Sequence, residues 1–235
     1  MKILMTAGGT EEAIDGVRRL ANTSTGRTGF VLARHFIEMN ANVFLLRSRS
    51  ACSGDTNIPG EDFLSFADLE NLLHRCLETE KWDVLVHLAA VSDYSIASVE
   101  IDGRIFPAPL PSKIPSGSEI LLKLQPNPKL IDRVRHWSLN TDIMVIAFKL
   151  TDESEPSARR EAVLQLMDRA GPDLVVHNDI SEVSPNTHSA DIFSREVWIR
   201  HTRSREELAE ALWNRILHSL RNKVDTAALS KEAKK

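Results

Sequence analysis

The chain has 235 residues, 42% hydrophobic and 26% charged, which is the ordinary range for a globular protein with one sizeable core. Its formal net charge of -4 excludes a broad basic field of the kind that holds nucleic acid by its phosphates, so an anionic ligand must be met by local positive groups. The two cysteines, Cys52 and Cys76, lack metal-ligand spacing and read as reduced thiols rather than a disulfide framework.

The N-terminus enters Lys2 to Met5, a first strand, with no charged leader before it, and no later apolar run is long enough to span a bilayer. The expectation is a cytoplasmic protein with no membrane or nucleic-acid partner. Thr28 to Asn40 carries Phe30, Val31, Ala33, Phe36 and Ile37 at helical spacing, and Asn42 to Leu46 reads as a second strand. Ala67 to Leu77 follows as a helix. Asp83 to Leu88 is apolar apart from His87, the pattern of a strand buried on both faces, and is expected at the centre of the sheet.

Ser95 to Gly117 carries four prolines and two glycines and reads as a long connection or flap. Leu130 to Trp137 is the next helix, Ile143 to Phe148 a strand, Arg159 to Ala170 a helix, and Asp173 to Val176 a strand. Ser181 to Arg195 leads into an antiparallel edge hairpin around Asp191 to Phe193 and Glu196 to Arg200. Arg205 to Leu220 is a closing amphipathic helix through Leu208, Ala211, Leu212, Ile216 and Leu217. The expectation is an α/β fold, a Rossmann-like parallel sheet between helices with an antiparallel edge, in one domain over 1–222 with a disordered tail over 223–235.

Four segments offer chemistry. Thr6-Ala7-Gly8-Gly9-Thr10 follows the first strand, where paired glycines permit a tight turn and close approach to a ligand, although G-x-G-x-x-G is not formed. Asn22-Thr23-Ser24-Thr25-Gly26 precedes an apolar helix, so its hydroxyls and the first amides suit either phosphate oxygens or an N-cap by Ser24 or Thr25. Ala89-Ala90-Val91-Ser92-Asp93 ends the central strand with small residues and a carboxylate that binds a ligand or caps a turn. Lys113 lies isolated in the Pro-rich connection, where an ammonium either closes over phosphates or is merely solvated.

In this order, together with Glu11-Glu12, Ile14-Asp15, Val17-Arg18, Lys113-Ile114, Ala147-Phe148-Lys149-Leu150 and Asn178-Asp179, these segments resemble phosphopantothenoylcysteine synthetases of the monofunctional type, from Lys2 to about Leu220. The resemblance implies a ligase of coenzyme A biosynthesis that condenses phosphopantothenate with cysteine through an acyl-nucleotide formed from CTP or ATP. It implies that Asn22, Ala89, Ala90 and Asp93 contact phosphopantothenate, and that Arg18 reaches its phosphate across a homodimer. Gly8, Gly9, Ser24, Gly26, Phe148 and Lys113 fall on the nucleotide side, with Lys113 and Asn22 in catalytic roles.

Mg2+ is expected with the nucleotide, its ligands unassigned, and no flavin is expected because the resemblance does not extend to a decarboxylase half. Pro115 and Ser116 stand where many bacterial members continue the lysine motif as Lys-Ile-Lys-Lys, which leaves CTP and ATP both open. Two rival readings remain. A nicotinamide-dependent reductase would use a similar sheet but a Tyr-x-x-x-Lys pair, whereas Tyr94 is followed four positions later by Ser98. A non-enzymatic relative would bind nucleotide or pantothenate derivative without turnover.

Overall fold

The computed structural model describes residues 1–51, 57–182, 188–195 and 197–232, with only the helical backbone over 222–232. Cys52 lies outside the described residues, while Cys76 is buried and its thiol is pushed up by that burial.

Strand β1 (Lys2–Ala7) leads to a hairpin of β2 (Glu11–Ala13) and β3 (Arg19–Ala21), then to helix α1 (Arg27–Glu38) and strand β4 (Asn42–Ser48). β5 (Gly60–Phe63), α2 (Phe66–Thr79) and β6 (Val84–His87) follow. Next come β7 (Tyr94–Ile101), β8 (Arg104–Pro107), β9 (Ile120–Pro126) and the short α3 (Val134–Trp137). The chain ends with β10 (Met144–Thr151), α4 (Pro156–Ala170), β11 (Leu174–Asp179), β12 (Ala190–Phe193), β13 (Trp198–Thr202) and α5 (Arg205–Glu232).

Eight strands form one sheet in the order β13-β12-β11-β10-β6-β1-β4-β5, with β5 to β11 parallel and the β12–β13 hairpin antiparallel at one edge. The chain leaves β1 toward β4 on one side and returns to β6 on the other, so the strand order reverses between β1 and β6. The crevice beyond the carboxyl ends at such a reversal is where open α/β sheets bind ligands.

Helices α1 and α5 bury Phe36, Leu212 and Ile216 against one face, and α2, α3 and α4 bury Leu69, Val134 and Val163 against the other. A capping box starts α2: the Asp68 N–H donates to Ser65 Oγ at 3.2 Å and the Ser65 N–H donates back to Asp68 Oδ2 at 3.0 Å. On α1, Leu32 is buried while Val31 is only partly so and Ile37 is 38% exposed, so the inward stripe runs through Leu32 rather than through those two.

The long connection expected over Ser95 to Gly117 is corrected: β7, β8 and β9 form a separate antiparallel layer in the order β8-β7-β9. Its prolines avoid the ladder interior, since Pro107 ends the edge strand β8 and the others follow it. Asp102 and Gly103, both at positive φ (46° and 80°), make the two-residue turn between β7 and β8, the geometry that a right-twisted hairpin requires. Ile96, Val99 and Ile114 form the small core of this layer. The helix expected over Leu130 to Trp137 is broken into a 3-10 turn and the four residues of α3. The backbone of α5 continues past Leu220 to Glu232. Among the described residues no helix is long and apolar enough to cross a membrane.

Candidate active site at the β1–β6 switch point

Three chain segments are stitched together beyond the carboxyl ends of β1 and β6. The Ala90 N–H donates to Gly8 O at 2.8 Å, the Thr10 N–H to Ala90 O at 3.1 Å, and the Asn22 N–H to Thr10 O at 3.1 Å. Gly9 pairs with Ala90 in an isolated parallel bridge, extending the contact past the sheet. Both glycines are required by the approach. A Cβ on Gly8, whose φ is +90°, would lie 2.1 Å from Ser48 Oγ, and one on Gly9 would lie 2.0 Å from the backbone oxygen of Asn22. Beneath them the Thr6 hydroxyl accepts the Ala89 N–H at 3.1 Å and lies 2.9 Å from Nδ1 of buried His87, whose imidazole burial pushes down to about 4.

A cleft of about 420 Å³ opens here, and it brings together Gly8, Ser24, Gly26, Ala89, Ala90 and Phe148 from the sequence-assigned set. Of the two readings left open for Ser24 and Thr25, the capping one is met in part, by Thr25. α1 is preceded by Gly26 in the left-handed region (φ 69°), which has no side chain to cap with, and Thr25 Oγ1 accepts the Arg27 N–H at 3.4 Å. The amides that follow Arg27 in the first turn have no acceptor within the helix, which is the usual basis of an anion site. Leu88 and Asn178 also line the cleft, as do Arg27, Lys149, His188 and Arg205.

The remaining assigned residues lie outside the lining. Gly9 and Asn22 adjoin it through the backbone bonds above, with Asn22 exposed. Asp93 is paired with Lys129, a neighbour that sequence reasoning missed, and its backbone oxygen accepts the Asn127 N–H at 2.8 Å. Arg18 is folded onto Asp15 of its own chain at 2.7 Å and donates to Ile114 O, while the adjacent Lys113 side chain is exposed.

Among the described residues no carboxylate lines the cleft, and no cluster of three His, Cys, Asp or Glu could hold a metal ion. Magnesium in nucleotide sites is commonly held by one or two carboxylates plus phosphates, so the residues here do not fit a protein-held Mg2+. His188, Arg27 and Arg205 carry no local motif; the signal that would have found them is the α1 N-terminus itself, which asks for positive neighbours near any bound anion.

The family model described as the DNA/pantothenate metabolism flavoprotein C-terminal domain matches residues 1–220. The "Coenzyme A biosynthesis bifunctional protein CoaBC" of Thermococcus kodakarensis is 32% identical over 223 residues, covering 92% of this chain and 50% of that protein. The protein of the same name from Escherichia coli K12 is 26% identical over 193 residues, covering 80% and 43%. The chain therefore spans about half the length of the curated relatives it matches.

The DNA/pantothenate metabolism flavoprotein from Streptococcus pneumoniae superposes with a TM-score of 0.81 at 28% identity, covering 93% of this chain and 99% of that one. A Cab2 mutant solved in complex with phosphopantothenate-cysteine has a TM-score of 0.70 at 18% identity, covering 94% and 88%, and shares the fold. By the match over nearly its whole length, this chain belongs to the family of DNA/pantothenate metabolism flavoprotein C-terminal domains.

Proposed function

We propose that this protein is a phosphopantothenate–cysteine ligase of coenzyme A biosynthesis, acting in the cytoplasm with CTP or ATP. The observation that carries the reading is the cleft at the β1–β6 reversal, where the N-terminus of α1, paired glycines and the small residues Ala89 and Ala90 meet Phe148. The relatives' names, and the phosphopantothenate-cysteine bound to the Cab2 structure, agree with it.

In the first half-reaction a carboxylate oxygen of phosphopantothenate attacks the nucleotide's α-phosphorus, the bond to the β-phosphate oxygen breaks, and pyrophosphate leaves. In the second, the cysteine amine attacks the acyl carbon, loses a proton, and the nucleoside monophosphate departs with the bridging oxygen. The α1 amides and Lys113 offset phosphate charge in the first step. Asn22 holds the mixed anhydride for the amine, and Ala89, Ala90 and Asp93 seat the pantothenate arm. No step here runs through a metal ion, and any Mg2+ arrives on the nucleotide's own phosphates.

A homodimer completes the reading. Exposed Ile105 and Leu121, which flank Glu100 on one face of the β8-β7-β9 layer, supply apolar surface for a second copy, and Arg18, held by Asp15 on an outer turn, meets the phosphate bound by its partner. The direct test is mass-spectrometric detection of phosphopantothenoylcysteine from phosphopantothenate, cysteine and each nucleotide in turn. Formation with CTP or ATP supports the ligase; tight binding of both substrates without product favours a non-enzymatic binding protein.

A further inference from the structure

A second hollow, of about 350 Å³, lies between α4 and the β12–β13 hairpin. Adjacent strand residues face opposite sides of a sheet, so His177 turns into this hollow while Asn178 lines the active cleft behind it. Val163, Leu164 and Met167 of α4 and Phe193 of β12 give the hollow apolar surface. Trp198, 55% exposed, adds a flat ring whose indole N–H donates to Asp191 Oδ1 at 3.1 Å.

Two polar groups here are left as bare acceptors. The Thr151 hydroxyl donates to Asp179 Oδ2 at 2.7 Å, a carboxylate that Ser181 and the Glu153 N–H hold well below the usual range, so it can only accept. The hydroxyl's other acceptor, Asn178 O at 3.5 Å, has no hydrogen to give, so His177 Nε2 must be the donor to the Thr151 oxygen, at 2.8 Å. Burial pushes the His177 imidazole down from its usual value, so at neutral pH its one proton is on Nε2. Nδ1 then offers a lone pair that meets no donor among the described residues. Asp191 is the cross-strand partner of His177, and side chains so paired lie about 5 Å apart on one face. Its Oδ1 also lies 2.9 Å from His201 Nδ1, whereas its Oδ2 has no hydrogen-bond partner among the described residues. Arg159 acts on both groups through its charge, but its Nε, Nη1 and Nη2 are directed to Glu153 O, Glu182 and Asp179. α4 supplies the opposite need. Arg160 lines the hollow, is exposed, and makes no ion pair or hydrogen bond among the described residues.

We infer that this hollow is a second binding site, for a free α-amino acid with an aromatic or branched aliphatic side chain. The ammonium donates to His177 Nδ1 and Asp191 Oδ2, the carboxylate accepts from Arg160, and the side chain lies against Leu164 and Trp198. An ammonium brings several donors and a full positive charge, which two adjacent acceptors, one of them a carboxylate, require. The neutral amine of a nucleobase would leave Asp191 uncompensated. None of these residues lines the active cleft, so the site stands whether or not the protein is a ligase.

The test is calorimetric titration of the full chain, as wild type, Arg160→Gln and Asp191→Asn, with L-phenylalanine, L-leucine, phenethylamine and 3-phenylpropionate in separate arms. Wild type should bind at least one of the two amino acids, with phenethylamine and 3-phenylpropionate each weaker than L-phenylalanine by about tenfold or more, since each lacks one charged group. Arg160→Gln should weaken the amino acid by a similar factor but leave phenethylamine within about twofold, and Asp191→Asn should do the same for the amino acid and spare 3-phenylpropionate. No binding of either amino acid overturns the site, as does wild-type affinity in Arg160→Gln. If Asp191→Asn does not fold by circular dichroism, Arg160→Gln decides alone, because Arg160 is exposed and unpartnered among the described residues. A further titration of L-phenylalanine in excess CMP and phosphopantothenate should match the first; displacement would place the amino acid in the active cleft and overturn the inference, leaving the ligase reading intact.

Discussion

The Ile114 N–H donates to the buried carboxylate of Asp15 at 3.0 Å, joining positions 99 residues apart. The same carboxylate accepts the N–H groups of Val17 at 2.8 Å and Arg18 at 2.7 Å, and the Arg18 guanidinium at 2.7 Å. Arg18 in turn donates to Ile114 O at 3.3 Å, and the Ile114 side chain is 2% exposed. Lys113 is thus an exposed side chain on a fixed base, and the turn bearing Arg18 is fixed by the same group.

Asp15→Asn should therefore lower the melting temperature and slow nucleotide-dependent pyrophosphate release more than it weakens phosphopantothenate binding. The four donors hold the Asp15 carboxyl well below the usual carboxylate range. A depressed folded-state value gives stability that is present above the unfolded value, about 4, and is lost as pH falls below it. Melting curves from pH 2 to 6 should be flatter at the acid end for Asp15→Asn. Identical curves and unchanged turnover would remove Asp15 from this role.

Gly9→Ala places a methyl 2.0 Å from the backbone oxygen of Asn22, an atom fixed by the β2–β3 hairpin. Relief requires moving Asn22 or Ala90, so turnover should fall by roughly a hundredfold, the scale of an ångström-level misplacement at a reacting centre, with a smaller loss of stability. Steady-state kinetics and thermal melts separate the two effects, and wild-type turnover would show that the approach is not needed.

Buried His87 gives stability a second pH dependence. Its folded value, about 4, lies below the 6.5 of an unperturbed imidazole, so between those limits the unfolded chain binds the extra proton. Stability is complete at neutral pH and falls as pH drops from 6.5 toward 4, by on the order of 3 kcal/mol in all. His87→Gln should flatten this stretch of the melting profile, whereas an unaltered slope would assign it to other groups such as His188.

Lys113→Gln should cut pyrophosphate release by roughly a hundredfold, as removal of a preorganised charge-stabilising group does. Asn22→Asp should instead let the acyl-nucleotide accumulate or leak to hydrolysis. Quenched-flow separation of the half-reactions reads both; equal loss of both halves in Asn22→Asp would assign Asn22 to shape alone.

The central strands were legible because burial on both faces demands uninterrupted apolar runs: Asp83 to Leu88 announced β6, and Lys2 to Met5 announced β1. β5 was missed because Gly60-Glu61-Asp62-Phe63 is a short edge strand with only Phe63 buried. The β7–β9 layer was read as a flap because its prolines outweighed the Asp102-Gly103 hairpin signal. Within the site, the glycines and small residues of Gly8, Gly9, Ala89 and Ala90 could be read locally, since close approach restricts residue type. Arg205 and His188 could not, because an arginine at a helix start and a histidine before β12 acquire meaning only when α5 packs beside α1.

The central claim, that this cleft joins a carboxylate to the α-phosphorus of a nucleotide, is tested most directly by oxygen-18 in the carboxylate of phosphopantothenate. The account predicts one labelled oxygen in the nucleoside monophosphate released after cysteine is added. Unlabelled monophosphate, or label found in inorganic phosphate alongside a nucleoside diphosphate, would contradict it.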